Sequence, residues 1–277
     1  MIISNLKRIV GGLTLGLFIA MHPAKANSDT SDALRSVYQM QTIAFSVLGD
    51  YYMFSGLEGD SRYSREMDAD IKRFESLIGE LTAPGNPIAK LESLGKALNQ
   101  WQEYKKLIET NRIDFITQGY ANARLVGELG PKVMALNEGL QEVYDGLVEE
   151  NKFKLSKQTQ DTRKMGLIIQ TITAEYAARS TSSLGQVMVI NINEGGMDGQ
   201  AKIFDKLLTK LQATAKTDKR IFKLTDQIGV KWSFINKSVA NYNKNAVPFI
   251  VNTYGDRITQ NLQSVGNHFS AKVQAKK

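Results

Sequence analysis

Apolar residues recur three and four positions apart along most of the chain, the period of one helical face, and no segment alternates as a half-buried strand does. The pattern is clearest in Met40, Ile43, Val47 and Tyr51, and it returns 125 positions later as Met165, Ile168, Ile172 and Tyr176. A first helix opens in the polar stretch 27–31, with Ser31 or Asp32 as its N-cap, and ends near residues 56–59. A second spans residues 61–81 with Met67, Ile71, Phe74 and Leu77 inward. The turn at 83–87, APGNP, separates it from a third, which carries Leu91, Leu94, Leu98 and Trp101 and continues toward residue 125. Gly130-Pro131 breaks that run, and Pro131 suits the first turn of a fourth helix holding Val133, Leu136, Leu140 and Leu147. Residues 148–164 are polar, charged and free of Pro and Gly, so one continuous helix is predicted from the fourth element into the next.

The second half repeats the order. Met197-Asp198 stands seven residues before Phe204, as Met67-Asp68 stands before Phe74. Ile221, Leu224 and Ile228 follow Leu91, Leu94 and Leu98 at an offset of 130, and Trp232 follows Trp101 with one residue more. The change of offset from 125 to 130 places an insertion at residues 191–196, NINEGG, and Pro248 opens the last helix. The expected fold is therefore all-α: two tandem four-helix bundles, residues 27–150 and 151–277, joined end to end as a rod by a shared long helix. One compact eight-helix domain is the alternative.

Composition adds a compartment. Residues 1–26 have Lys7 and Arg8, an apolar run of 13 residues too short for a bilayer, and Ala24-Lys25-Ala26 at a cut site. That is the layout of a signal peptide, and it predicts a soluble mature chain in the periplasm or outside the cell. The net charge of +7 falls to about +4 without that leader, and the remaining charges alternate in sign. Nucleic acid is not an expected partner. There is no cysteine, and the mature chain holds one histidine, His268. Thiol and Ser-His-Asp catalysis, Cys-based metal sites and haem ligation lack their residues, so no enzyme, no metal and no cofactor is expected.

Met40-Gln41, Phe74-x-x-Leu77 with Leu81, and Trp101-x-x-Tyr104-Lys105, together with Lys164-Met165, Phe204-x-x-Leu207 with Leu211, and Trp232, resemble one family. It is the PilJ-type, or NarX-like, N-terminal periplasmic domain of type IV pilus chemotaxis transducers and nitrate/nitrite sensor kinases, here in two copies. The resemblance implies a helical sensor module whose anion sits between helices at a dimer interface, beside an arginine that directly precedes the methionine. In this chain Gln39 precedes Met40 and Lys164 precedes Met165.

The candidate binding residues are accordingly Arg163 and Lys164, two cations beside the apolar stripe, with Gln170 nearby on the same helix, and Gln39 and Gln41 flanking Met40. The expected function is capture of a small ligand, an anion on this reading, with presentation to a membrane receptor or envelope protein, and a homodimer by analogy. The alternative is a structural or protein-interaction rod with no small-molecule ligand.

Overall fold

The computed structural model describes residues 23–181, 195–242, 244 and 246–274, and within them every regular element is a helix. The elements are α1 (Pro23–Gly56), α2 (Ser61–Leu81), a 3-10 turn (Pro87–Lys90), α3 (Glu92–Gln118), α4 (Ala123–Glu150), α5 (Lys157–Thr181), α6 (Gly196–Ala215), α7 (Lys219–Ala240) and α8 (Pro248–Gln274). Residues 1–22 of the expected leader and residues 191–194 of the expected insertion lie outside the described residues. Among the described residues no helix is long and apolar enough to cross a membrane.

Local chemistry sets most boundaries. Asp60, Asn122 and Asp218 each turn a side-chain oxygen onto a backbone N–H two residues on, capping α2, α4 and α7. Gly119, at φ 80°, ends α3 in the left-handed conformation that suits a residue without Cβ. The third helix therefore stops at Gln118, short of residue 125, and Pro131 lies inside α4 instead of opening it, because Asn122 supplies the cap upstream. Likewise α1 begins at Pro23, ahead of the caps expected at Ser31 or Asp32.

The predicted continuous helix over 148–164 is broken. Asn151 closes α4, Lys152 adopts φ 47°, and Ser156 Oγ accepts from the Thr159 N–H at 3.0 Å to start α5. Between them Phe153 and Leu155 tuck against the first hydrophobic core. Helix-permissive composition was no bar to this reversal, because α5 has apolar surface to bury on more than one side. Seventeen of its 25 residues are buried, which an end-to-end rod would leave wet.

The chain instead lays α5 alongside α1. One core is built by α1 to α4 and the other by α5 to α8, but Ala174, Ala177 and Ala178 of α5 belong to the first. Contacts climb both helices together: Arg163 lies over the Tyr38 ring, Gly49 faces Ala174, and Thr181 Oγ1 donates to the Tyr52 carbonyl at 2.9 Å. The pair is parallel and nearly in register at the 125-residue offset. Matching side chains also meet within each half. Trp101 stacks on Phe74 at 3.6 Å between ring centres, and Trp232 lies against Phe204 at 4.5 Å. Tyr51 and Tyr176 are both fully buried, yet Tyr176 Oη accepts from the Val247 N–H at 3.0 Å while Tyr51 Oη has no hydrogen-bond partner.

Close approach of α1 and α5 depends on missing side chains. A Cβ on Gly56 would stand 2.0 Å from Thr181 Cβ and 2.9 Å from its Cα, so the backbones would have to part. Gly56→Val is expected to lower the unfolding free energy by about 1–3 kcal/mol in denaturant titrations. Gly79→Ala, on the open face of α2 where a Cβ meets nothing within 4 Å, should be neutral or gain up to about 1 kcal/mol.

Candidate functional site

Two cavities flank the α1–α5 pair on opposite faces. The first, about 430 Å³, lies between α1, α2, α5 and α8; the second, about 320 Å³, lies between α1, α4, α5 and α6. Their walls correspond. Gln39, Thr42, Ile43 and Ser46 of the first are matched 125 positions on by Lys164, Leu167, Ile168 and Thr171 of the second. In the fourth helix of each half, Met134, Asn137, Glu138 and Gln141 line the second cavity, and Asp256, Thr259, Gln260 and Gln263, each 122 positions later, line the first. This supplies the register of the fourth helices, which sequence periodicity alone left open.

The five sequence-predicted residues do not share one site. Gln39 and Gln170 line the first cavity, Gln41 and Lys164 line the second, and Arg163 lines neither. Arg163 is buried; its guanidinium lies over the rings of Tyr38 and Tyr144 and donates to Tyr144 Oη at 2.7 Å. It is a strut between the halves. Lys164 points to the exposed side of α5, so the two cations face apart. Gln41 Nε2 donates to Gln141 Oε1 at 3.1 Å. Gln39 Oε1 accepts from Arg73 at 3.2 Å.

Carboxyl groups dominate the first cavity. Asp50 on α1, Glu66 and Asp70 on α2, and Asp256 on α8 line it, against one lining guanidinium, Arg73. Asp50 is 2% exposed and accepts a single long hydrogen bond, 3.4 Å, from Asn252. Burial, reinforced by Asp256, Asp70 and Glu66, pushes its carboxyl well above the usual range. Burial likewise raises Asp256 to about 7, with Asp70 and Glu66 adding to the shift and the Gln170 hydrogen bond opposing it. Asp70 rises to about 6 for the same first reason, opposed by a hydrogen bond from Ser46. Glu66 is raised by burial, with Arg62 opposing. Gln170, 3% exposed, donates to Asp256 Oδ1 at 3.1 Å and Thr259 Oγ1 at 3.0 Å, while its own Oε1 has no hydrogen-bond partner.

The second half treats the matching acid differently. Glu175, 125 positions after Asp50, is ion-paired by Arg179 one turn along α5. The residue one turn after Asp50 is Phe54. The second cavity also replaces Asp256 by Met134 and Asp70 by Gln200, at the 122- and 130-residue offsets. Charge thus accumulates in one of two otherwise parallel cavities.

These carboxyl groups are not among the residues the sequence singles out, because charges of both signs alternate along the helices. Asp50 carried a signal: it is the only charged residue between positions 36 and 57. Asp70 and Asp256 carried none, since only packing brings α2 and α8 to the same opening. Comparison of the chain with protein-family models, with curated sequences and with solved structures returned no match.

A carboxyl whose folded-state pKa is raised costs nothing below its unfolded value and destabilises the fold increasingly as pH climbs to the raised value. The stability of the wild-type chain relative to Asp256→Asn should therefore be lowest near pH 8 and recover as pH falls to about 4, read from thermal midpoints of the two proteins.

Proposed function

We propose that the chain is an exported ligand-binding module in which two related four-helix bundles, residues 27–150 and 151–277, hold a small polar ligand between them. The observation that carries the proposal is the first cavity. It draws its walls from both halves, exceeds the space of a few waters, and is lined by a buried carboxyl, Asp50, that the protein leaves underbonded.

The resemblance to PilJ-type and NarX-like input domains fits this arrangement. In that family the anion is expected between helices at a dimer interface, beside a residue of the first helix. Here α1 and α5, the first helices of the two copies, lie parallel and in register within one chain. The second copy takes the place of the dimer partner, and the ligand position falls beside this pair. Release of residues 1–26 would put the module in the periplasm or outside the cell, where a membrane receptor or another envelope protein reads its loaded form. The anion expected from Arg163 and Lys164 has less support than capture itself, because Arg163 is engaged between two tyrosines and the polar cavity is lined by carboxyl groups. The alternative, a structural or protein-interaction module with no small-molecule ligand, predicts a chain indifferent to small molecules.

A thermal-shift panel of small polar metabolites, cations and anions tests the proposal. At least one compound should raise the midpoint. Ser46→Leu, which fills the first cavity, should abolish that shift, and Thr171→Leu, at the matching position of the second, should leave it intact. A silent panel would favour the protein-interaction alternative.

A further inference from the structure

Resting on the capture of a ligand in the first cavity, we infer that its occupant is a small organic cation bearing two or more N–H-rich groups, a linear diamine or polyamine, bound once per chain. The cavity is rich in acceptors and poor in donors. Asp50, Asp70 and Asp256 reach it from three different helices, and Asp50, 2% exposed, accepts one long hydrogen bond, from Asn252. The nearby cations already have partners, Arg73 within the cavity wall itself. Arg62 is held by Glu66 and lies over the Tyr63 and Phe249 rings, and Arg73 donates to Gln39.

A metal ion does not suit this layout, because among the described residues no three acids or histidines converge closely enough to hold one. Acids spread over the walls of a cavity of about 430 Å³ match charges that are themselves spaced along a chain. No aromatic ring lines the opening, so a quaternary ammonium would lack its usual cage, whereas primary ammonium groups would donate to each carboxylate. The second cavity is the internal control. At matched positions it has Met134 and Gln200 in place of the aspartates, and the acid equivalent to Asp50, Glu175, is outside its lining and ion-paired with Arg179. One site per chain follows.

Binding also has a proton signature. Asp256 and Asp70 are partly protonated near neutrality, so an ammonium group that pairs with them displaces protons and binds more tightly as pH rises from about 6 to about 8. Glu66 from α2 and Asp50 from α1 face the same opening and are raised by burial as well, with Arg62 and Arg65 opposing at Glu66 and the Asn252 hydrogen bond opposing at Asp50; Arg73 is the cation that lines the opening.

Isothermal titration of the full chain with 1,4-diaminobutane and with spermidine tests this. The expected result is one site per chain, tighter at pH 8 than at pH 6, weakened about tenfold by Asp70→Asn and by Asp256→Asn and unchanged in Thr171→Leu. Two sites per chain, or affinity untouched by both asparagine variants, would overturn it. No heat with either amine would also overturn it, and the metabolite panel then separates the two claims. If a neutral or anionic compound still protects the fold and Ser46→Leu abolishes the protection, capture stands and only the cation class falls; if the panel is silent, both fall.

Discussion

The structure depends on two helices, α1 and α5, lying parallel with almost no side chain between them at Gly49 and Gly56. Everything else is arranged around that contact. Each helix is buried on several sides, and each serves its own half while contributing to the other, as Ala174, Ala177 and Ala178 do in the first core. Buried apolar area at roughly 25 cal/mol per Å² favours this lateral arrangement over a rod, since a rod would leave one face of each central helix in water. The six-residue break at 151–156 is its geometrical requirement, because a helix continuing past Glu150 would carry α5 away from α1.

Parallel packing in register has a second consequence. It generates two equivalent grooves, one on each side of the central pair, and the flanking helices close each into a cavity. Equivalence of position does not imply equivalence of chemistry. Asp50 and Glu175 are both drawn into the interior beside the pair, but Arg179 lies one turn from the glutamate and Phe54 one turn from the aspartate. A buried acid with its own guanidinium is a structural ion pair. Burial raises both carboxyls, but a guanidinium opposes the shift at Glu175 and only an amide hydrogen bond does so at Asp50, and two further aspartates at the same opening enlarge the imbalance. Such an imbalance lowers the stability of the fold as pH rises through the raised values.

Arg163 illustrates how a charge can mislead. In the sequence it is half of a basic pair beside an apolar stripe. In the fold its guanidinium is sandwiched by Tyr38 and Tyr144, and it joins α1, α4 and α5. Cation–π contact and one hydrogen bond replace hydration, which suits a delocalised guanidinium better than an ammonium. Lys164, one residue on, turns outward because successive helical positions differ by about 100°. Adjacency in sequence on a helix separates side chains in space.

Helical class, the position of most elements and the correspondence of Met40 with Met165, Phe74 with Phe204 and Trp101 with Trp232 were legible in the chain, because they rest on local period and composition. Gln39 could be singled out for flanking Met40, and Gln170 for lying near Arg163 and Lys164 on one helix, though nothing in their spacing said that they would line the same cavity. Whether residues 151–156 continue a helix or reverse it is decided by what lies on either side of α5, and that is a tertiary fact. The same holds for the gathering of Asp50, Asp70 and Asp256, residues from three helices separated by up to 206 positions. Periodicity states which face of a helix turns inward; it does not state which other helix that face will meet, and the charge of the cavity follows from the meeting.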